Sequence, residues 1–197
     1  MKGFTTKIVH NDRQRAIEHG AVHKPVHTSV AFGYRDARDL AAVFQGEQSG
    51  YTYGRQVNPT VDALEDKISS MEDGIKTVCF GSGMAAIGTA IFSLLRPGDH
   101  LISSAFLFGN TNSLFTTFDA QGIKVTFVDA TSADMVAAAI TPATKMIFVE
   151  TIANPRTQVA ALEEIGALCA QKGIVYVVDN TMTSPYLFQP KNVRASL

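Results

Sequence analysis

The order of apolar and polar residues predicts an α/β protein with a largely parallel sheet. After residue 60, short runs rich in β-branched and aromatic residues alternate with longer stretches whose apolar residues recur at helical spacing. The strand-like runs, such as the one from Ile174 to Val178, are apolar at nearly every position. Continuously apolar strands indicate a sheet that helices cover on both faces, which is the usual arrangement of parallel α/β sheets.

The elements of this fold follow in order along the chain. The first helix is predicted behind Pro59 and Thr60, where apolar residues recur at helical spacing and Gly74 supplies a stop. Its apolar face consists of Val61, Leu64, Ile68 and Met71. Beyond it, strands are predicted over 77–80, 100–103, 124–128, 145–149 and 174–178, and helices over 84–95, 110–118, 133–140 and 161–172.

Composition and charge limit the possible functions. The chain has 197 residues, of which 46% are hydrophobic, so it can bury a sizeable core. Its net charge of −1 provides no overall field for nucleic acid or an anionic membrane. Without a signal-like N-terminus or a membrane-length apolar run, we expect a cytoplasmic protein with no membrane or nucleic-acid partner. Cys79 and Cys169 lie far apart in apolar segments and are expected to be buried free thiols, and no metal site is expected.

A glycine-rich turn between a predicted strand and helix, Gly81-Ser82-Gly83, is the first candidate binding element. Backbone N–H groups at such a helix start, together with the helix dipole, form an anion site that suits a phosphate. The turn satisfies the pattern G-x-G-x-x-A, but no acidic residue follows the next strand and no Lys-Ser/Thr pair follows the turn. A dinucleotide fold and a P-loop NTPase are therefore excluded, and a tight turn chosen only for backbone shape is an equal alternative.

Polar residues also follow two later strands, and ligands of open α/β sheets bind beyond such carboxyl ends. Glu150 and Asn154 can position a polar ligand, although Asn-Pro is also an ordinary turn. Asp179, at the end of a buried strand, requires a hydrogen-bonding or cationic partner, which could be a helix cap, a salt bridge or a protonated pyridine nitrogen. A single ligand with a phosphate at one end and a basic ring nitrogen at the other, such as pyridoxal phosphate (PLP), would satisfy all three clusters.

Five segments in sequence resemble the Cys/Met-metabolism family of PLP enzymes. They are Tyr51 to Thr60, Gly81 to Ala86, Leu107 to Thr111, Val149-Glu150 with Asn154-Pro155, and Val178 to Thr181. The family contains cystathionine γ-synthase, cystathionine and methionine lyases, and O-acetylhomoserine sulfhydrylase. The resemblance implies an aspartate-aminotransferase-like fold of type I, PLP as the cofactor and an amino acid as the small-molecule substrate.

The resemblance also implies roles at the phosphate end of the cofactor. Gly83 and Met84 are similar to the backbone donors that hold the phosphate, and Ser82 joins them as a cofactor-binding residue. Tyr53 and Arg55 resemble a pair that reaches the phosphate in a neighbouring subunit, where the arginine fork fits phosphate oxygens. A homodimer with shared active sites, assembled into a tetramer, is therefore expected.

At the ring end, the resemblance assigns five residues. Asp179 is similar to the catalytic partner of the pyridinium nitrogen, and Thr181 to a cofactor-binding neighbour. Asn154 resembles the amide near the ring hydroxyl and substrate carboxylate, and Glu150 an acid that positions it from behind. Phe108 stands where many relatives have a tyrosine stacked on the ring, so stacking is kept and the phenol O–H is lost.

The resemblance divides the chain into two parts. Residues 1–60 resemble an N-terminal arm that contributes to the neighbouring subunit's active site, and 61–197 the first part of the PLP-binding domain. The family's Schiff-base lysine follows the segment that matches Val193 to Leu197, and none of the nine lysines here fits that role. The 197-residue chain alone is therefore expected to be inactive.

The loss of the phenol favours a sulfhydrylase, whose acetate leaving group needs such an acid less than an unactivated thioether does. The expected reaction is a γ-replacement in methionine biosynthesis, in which O-acetylhomoserine and sulfide or a thiol give homocysteine and acetate. Cystathionine γ-synthase and methionine or cystathionine γ-lyase are the enzymatic alternatives. A lysine-less fragment that binds PLP or serves in assembly is the non-enzymatic one.

Overall fold

The structure is a computed structural model that describes residues 3–14 and 16–197. Its contacts group the chain into two compact units that divide between Cys79 and Phe80. The sequence predicted a boundary after residue 60. The helix that begins at Pro59 groups with the N-terminal segment because it packs against the first helix of the chain.

The first unit is helical. Its helices are Phe4–His10 (α1), Ala37–Phe44 (α2) and Pro59–Glu72 (α3), with 3-10 turns at Asn11–Gln14 and Glu18–Gly20. The side chain of Asn58 caps α3 by accepting a hydrogen bond from the N–H of Thr60 at 2.9 Å. The helix ends at Asp73, which adopts the left-handed conformation one residue before the predicted stop at Gly74.

The predicted α3 is present, but its apolar face is not buried. Val61 is 41% exposed and Leu64 50% exposed, and no residue of the helix is buried. Helical spacing therefore predicted the helix correctly, but it did not predict how far the apolar face of that helix is buried.

The strand predicted over 77–80 is wrong. These residues form no ladder with another strand, and Val78 is 65% exposed. Hydrogen bonds to α3 side chains take the place of strand pairing: the N–H of Cys79 donates to Glu65 Oε1 at 2.9 Å, and Thr77 Oγ1 lies 2.8 Å from Ser69 Oγ. A β-rich segment that finds side-chain partners in this way does not join the sheet.

The second unit is an α/β domain, as predicted. Its strands are His100–Ser104 (β1), Lys124–Val128 (β2), Thr144–Glu150 (β3) and Val175–Asp179 (β4). They form one parallel sheet in the order β2-β1-β3-β4. The helices are Gly83–Leu94 (α4), Gly109–Thr117 (α5), Ala133–Ala138 (α6), Leu162–Lys172 (α7) and Ser184–Leu187 (α8).

Helices cover both faces of this sheet, as the continuously apolar strands predicted. On one face, Ile147 and Tyr176 pack with Ile165 of α7 in a buried cluster. On the other face, Phe148 packs with Phe115 of α5 in a second cluster. Successive strand residues point to opposite faces, so the apolar residues of the central strands find partners on both faces.

The last residues of the chain lie along the open edge of β4. The N–H of Leu197 donates to the carbonyl oxygen of Tyr176 at 3.2 Å, and the N–H of Val178 donates to that of Leu197 at 3.1 Å. This is the pattern of a parallel pair. The chain at Leu197 therefore runs in the same direction as β4.

Candidate cofactor site

A cavity of about 330 Å³ lies at the carboxyl edge of the sheet. Eight of the ten residues predicted to bind the cofactor line it: Ser82, Gly83, Met84, Phe108, Glu150, Asn154, Asp179 and Thr181. They belong to four separate segments, one at the start of α4 and the others at the ends of β1, β3 and β4, and they meet here because parallel strands present their carboxyl ends at one edge. In particular, Gly83 and Asp179 face a common cavity, as a ligand with a phosphate and a ring nitrogen requires.

One wall of the cavity is the N-terminal end of α4. Ser82 has extended backbone angles, and its Oγ caps the helix by accepting a hydrogen bond from the N–H of Ala85 at 3.2 Å. The N–H groups of Gly83 and Met84, in the first turn, have no acceptor within the helix. No acidic side chain lies in that turn. The positive end of a twelve-residue helix thus faces the cavity and suits an anion such as a phosphate.

Asp179 also lines the cavity. Its Oδ1 accepts hydrogen bonds from the N–H of Thr181 at 3.0 Å and from Thr181 Oγ1 at 2.5 Å. Its Oδ2 accepts none from the parts of the chain that the structure describes. A half-buried carboxylate with one unoccupied oxygen is suited to a cationic hydrogen-bond donor, which a protonated pyridine nitrogen provides. The two ends of the cavity therefore fit PLP.

Glu150 is a further lining residue and is 7% exposed. Its Oε1 accepts a hydrogen bond from the N–H of Phe108 at 2.8 Å, and its Oε2 accepts one from the N–H of Asn154 at 3.2 Å. Burial raises the pKa of Glu150, and the negative charge of Asp179 raises it further, while the two N–H donors act in the opposite direction. With both oxygens engaged by backbone, Glu150 holds two loops together.

Phe108 and Asn154 present side chains that a ligand can reach. The ring of Phe108 is 46% exposed on the cavity wall, and the Asn154 side chain is also exposed. An exposed aromatic ring beside a cavity can stack on a planar ligand. The amide of Asn154 can donate or accept a hydrogen bond.

Four further lining residues were not predicted from the sequence. They are Ile87, Thr111, Ile152 and Met182. Three of them are apolar and Thr111 lies in a predicted helix, and none has a side chain that the sequence linked to a ligand or a reaction. Their positions in the sequence could have identified two of them. Ile87 lies one helical turn beyond Gly83, and Met182 directly follows Thr181, just beyond the end of β4.

Tyr53 and Arg55 lie in the first unit. The guanidinium carbon of Arg55 is 5.1 Å from the centroid of the Tyr53 ring, within the range of a cation–π contact. Tyr53 also forms an isolated antiparallel bridge with Ala31. All residues that line the cavity come from the second unit, so the role of this pair at a neighbouring subunit's phosphate stays a prediction.

The remaining predictions about cysteines, metals and membranes concern the chain as a whole. Cys79 and Cys169 are free, as predicted; Cys169 is buried and Cys79 only partly so. Burial raises the pKa of Cys169 to about 12, so its thiol stays protonated. Within residues 3–14 and 16–197, no three His, Cys, Asp or Glu side chains gather as a metal ion would require. In the same ranges, no helix combines the length and apolarity needed to cross a bilayer.

Comparison with known proteins gives consistent matches. The profile described as Cys/Met metabolism PLP-dependent enzyme matches residues 5–196. An L-methionine gamma-lyase of Pseudomonas putida is 35% identical over 198 residues, which are 100% of this chain and 50% of that protein. The chain spans about half the length of the curated relatives it matches.

Solved structures share the fold. A Campylobacter jejuni structure named as an O-acetylhomoserine (thiol)-lyase, which contains N'-pyridoxyl-lysine-5'-monophosphate, matches with a TM-score of 0.91 at 28% identity, over 99% of this chain and 48% of that one. An O-acetylhomoserine sulfhydrylase of Wolinella succinogenes matches with a TM-score of 0.68 at 45% identity, over 70% of this chain and 39% of that one. These neighbours have the type I fold of PLP-dependent enzymes.

Proposed function

The chain belongs to the Cys/Met metabolism family of PLP-dependent enzymes, and from that premise we propose that it forms the cofactor-binding part of an O-acetylhomoserine sulfhydrylase. In the proposed reaction, sulfide replaces the γ-acetate of O-acetylhomoserine to give homocysteine and acetate in methionine biosynthesis, and a thiol in place of sulfide gives the corresponding S-substituted homocysteine. The observation that carries this proposal is the cavity lined by both the N-terminus of α4 and the Asp179 carboxylate.

When bound, PLP supplies the electron sink for carbanion chemistry at the amino-acid substrate. The N–H groups of Gly83 and Met84, with Ser82, hold its phosphate. Oδ2 of Asp179 accepts the hydrogen bond of the ring nitrogen and raises the pKa of that nitrogen, which keeps it charged. Thr181 fixes the carboxylate through its two hydrogen bonds to Oδ1, which leaves Oδ2 as the oxygen for a ligand.

Phe108 supports a sulfhydrylase over a lyase. Its phenyl ring can stack on a planar cofactor but has no O–H with which to move a proton. Release of a thiol from an unactivated thioether benefits from such an acid, whereas acetate is a good leaving group without one. The similarity to the Wolinella succinogenes sulfhydrylase supports the same choice, although a methionine lyase is also among the relatives.

We propose that the Schiff-base lysine comes from chain beyond Leu197. Because Leu197 pairs in parallel with β4, the chain there is directed toward the edge where β4 ends at Asp179. Each residue of a strand advances about 3.3 Å, so a lysine a few residues farther on would approach the cavity. Lys191 lies in an exposed turn, and no lysine of the described chain lines the cavity.

Tyr53 and Arg55 are proposed to complete the site of a neighbouring subunit. Both are partly or fully exposed in the first unit, and the guanidinium provides paired donors for a phosphate. On this proposal residues 1–60 form the arm that carries the pair. The working enzyme is then a homodimer with shared active sites, assembled into a tetramer in the cytoplasm.

The proposal is tested by assaying the full-length protein reconstituted with PLP. We expect sulfide-dependent homocysteine from O-acetylhomoserine, and little α-ketobutyrate from methionine or cystathionine. Phe108→Tyr is the matched variant, and we expect it to raise α-ketobutyrate release relative to homocysteine formation. Efficient methionine cleavage by the unchanged protein would contradict the sulfhydrylase, and PLP binding with no activity would favour the non-catalytic alternative.

A further inference from the structure

The buried carboxylate of Glu150 connects two loops that each contribute a residue to the cavity lining. We propose that Glu150 is a positioning residue that clamps the Phe108 and Asn154 loops together and so shapes the cavity before the cofactor binds. This inference rests on the proposed function only in taking PLP as the ligand. Its basis is the pair of hydrogen bonds from Phe108 N–H at 2.8 Å and Asn154 N–H at 3.2 Å, one to each carboxylate oxygen.

Only a carboxylate can make both contacts. Each loop presents a backbone N–H, so both positions opposite must be acceptors. Ionised glutamate has two acceptor oxygens, whereas glutamine has one acceptor and one NH₂ group that would face the second N–H. Hydrogen bonds to a charged acceptor are also stronger than neutral ones.

Each loop has backbone hydrogen bonds of its own, such as the one from the N–H of Thr157 to the carbonyl oxygen of Ala153 at 2.7 Å, but these bonds do not join one loop to the other. Phe108 is the N-cap residue of α5, and its side chain provides no capping hydrogen bond for that helix. The turn after Asn154 contains Thr157 at a φ of 57°, an uncommon conformation for a β-branched residue. Such a conformation persists only where surrounding contacts hold it. Releasing Glu150 would therefore leave the stacking ring and the amide less well placed.

The clamp should also respond to acid. Asp179, which is paired in register with Glu150 on the neighbouring strand, is the charged group that faces it. Burial and this neighbour both favour the protonated form. A protonated carboxyl turns one oxygen into a donor, which can no longer accept from one of the two loops.

The test compares Glu150→Gln with the unchanged full-length protein, and uses Glu163→Gln, an exposed position in the first turn of α7, as the matched control. The readouts are the dissociation constant of the apoprotein for PLP, the visible circular dichroism of bound PLP and the apoprotein's unfolding temperature. We expect Glu150→Gln to weaken PLP binding about tenfold or more and to reduce the dichroism. The control should change neither the dissociation constant nor the dichroism. On acidification, the unchanged protein should lose PLP affinity more steeply than Glu150→Gln does.

An unchanged PLP dissociation constant and dichroism in Glu150→Gln would overturn the proposal, even if the unfolding temperature fell, because that pattern indicates a purely structural side chain. If Glu150→Gln does not fold, Glu150→Asp is measured instead. Aspartate keeps the charge on a side chain too short to reach both loops, so unchanged PLP binding there would also overturn the clamp. No substrate is used, so a failure of the sulfhydrylase assignment leaves this result unaffected.

Discussion

Two glycines within helices of the second unit are predicted to respond oppositely to the same substitution. Gly166 lies in α7 beside the 3-10 turn Pro190–Val193. A Cβ atom at this position would overlap the carbonyl oxygen of Val193 and lie 3.0 Å from its carbonyl carbon and 3.3 Å from Cε1 of Tyr176. Alanine at position 166 therefore forces the main chain at Val193 to move, because the overlapping atom belongs to the backbone. The other neighbour, Tyr176, is fully buried.

The size of the effect follows from two opposing contributions. Overpacking a core costs about 1–3 kcal/mol and occasionally more, and the upper part of this range applies where backbone is the obstacle. Replacing glycine by alanine inside a helix recovers about 0.5–1 kcal/mol. We therefore expect Gly166→Ala to lower the free energy of unfolding by about 2 kcal/mol.

Gly88 in α4 provides the matched control. A Cβ there would meet only Cδ2 of Leu114, at 3.9 Å, which is an ordinary contact. Because nothing overlaps, only the stabilisation from replacing glycine by alanine inside a helix remains. Gly88→Ala should therefore raise the free energy of unfolding by about 0.5–1 kcal/mol. Urea unfolding of the full-length apoprotein, followed by far-ultraviolet circular dichroism, measures both variants. Shifts of the same sign and similar size would refute the close approach of Val193 to α7.

Three further predictions concern the site and the sheet. Ser82→Ala should lower stability by about 1 kcal/mol through loss of the α4 cap and weaken PLP binding, both measurable by urea unfolding and PLP titration. Asp179→Asn should lower kcat for homocysteine formation by about tenfold or more, because an amide does not hold the ring nitrogen protonated. Burial lowers the pKa of His100, whose ring nitrogens contact Thr144 and Thr126 at 2.7 and 2.8 Å. Its contribution is complete above the unfolded value of about 6.5 and is lost as pH falls through the lower folded value, so the urea midpoint should fall as the pH is lowered below about 6.5, and less in His100→Asn.

Local pattern was sufficient to place most elements of the second unit because their apolar spacing agrees with the strands and helices that form. The strand predicted over 124–128 has the observed bounds Lys124–Val128, and the helix predicted over 161–172 begins one residue later, at Leu162. The segment 77–80 has the same β-rich composition but no neighbouring strand. Composition reports the preference of a segment, whereas strand formation also needs a partner with free backbone groups.

The site was predictable to the extent that it depends on the parallel sheet. Residues that follow parallel strands must converge at one edge, which brings Asn154 and Asp179 to one cavity. The hydrogen bonds of Glu150 were not predictable, because they join its carboxylate to residues 42 positions before it and 4 after it, in loops whose paths depend on packing. Apolar lining residues such as Ile152 carry no signal that separates them from the core.

The arrangement of the two acids explains why the cavity favours a ligand with charges at both ends. Glu150 and Asp179 are register partners on adjacent strands, where like charges oppose each other. Glu150 is accommodated by two N–H donors and by a raised pKa, whereas Asp179 has donors on only one of its oxygens. The remaining negative charge is best balanced by a cationic donor at Oδ2, while the N-terminus of α4 attracts an anion at the other end. A molecule that carries only one of these charges would satisfy only one wall, and this selects a phosphorylated heteroaromatic cation over a simple anion or a neutral ring.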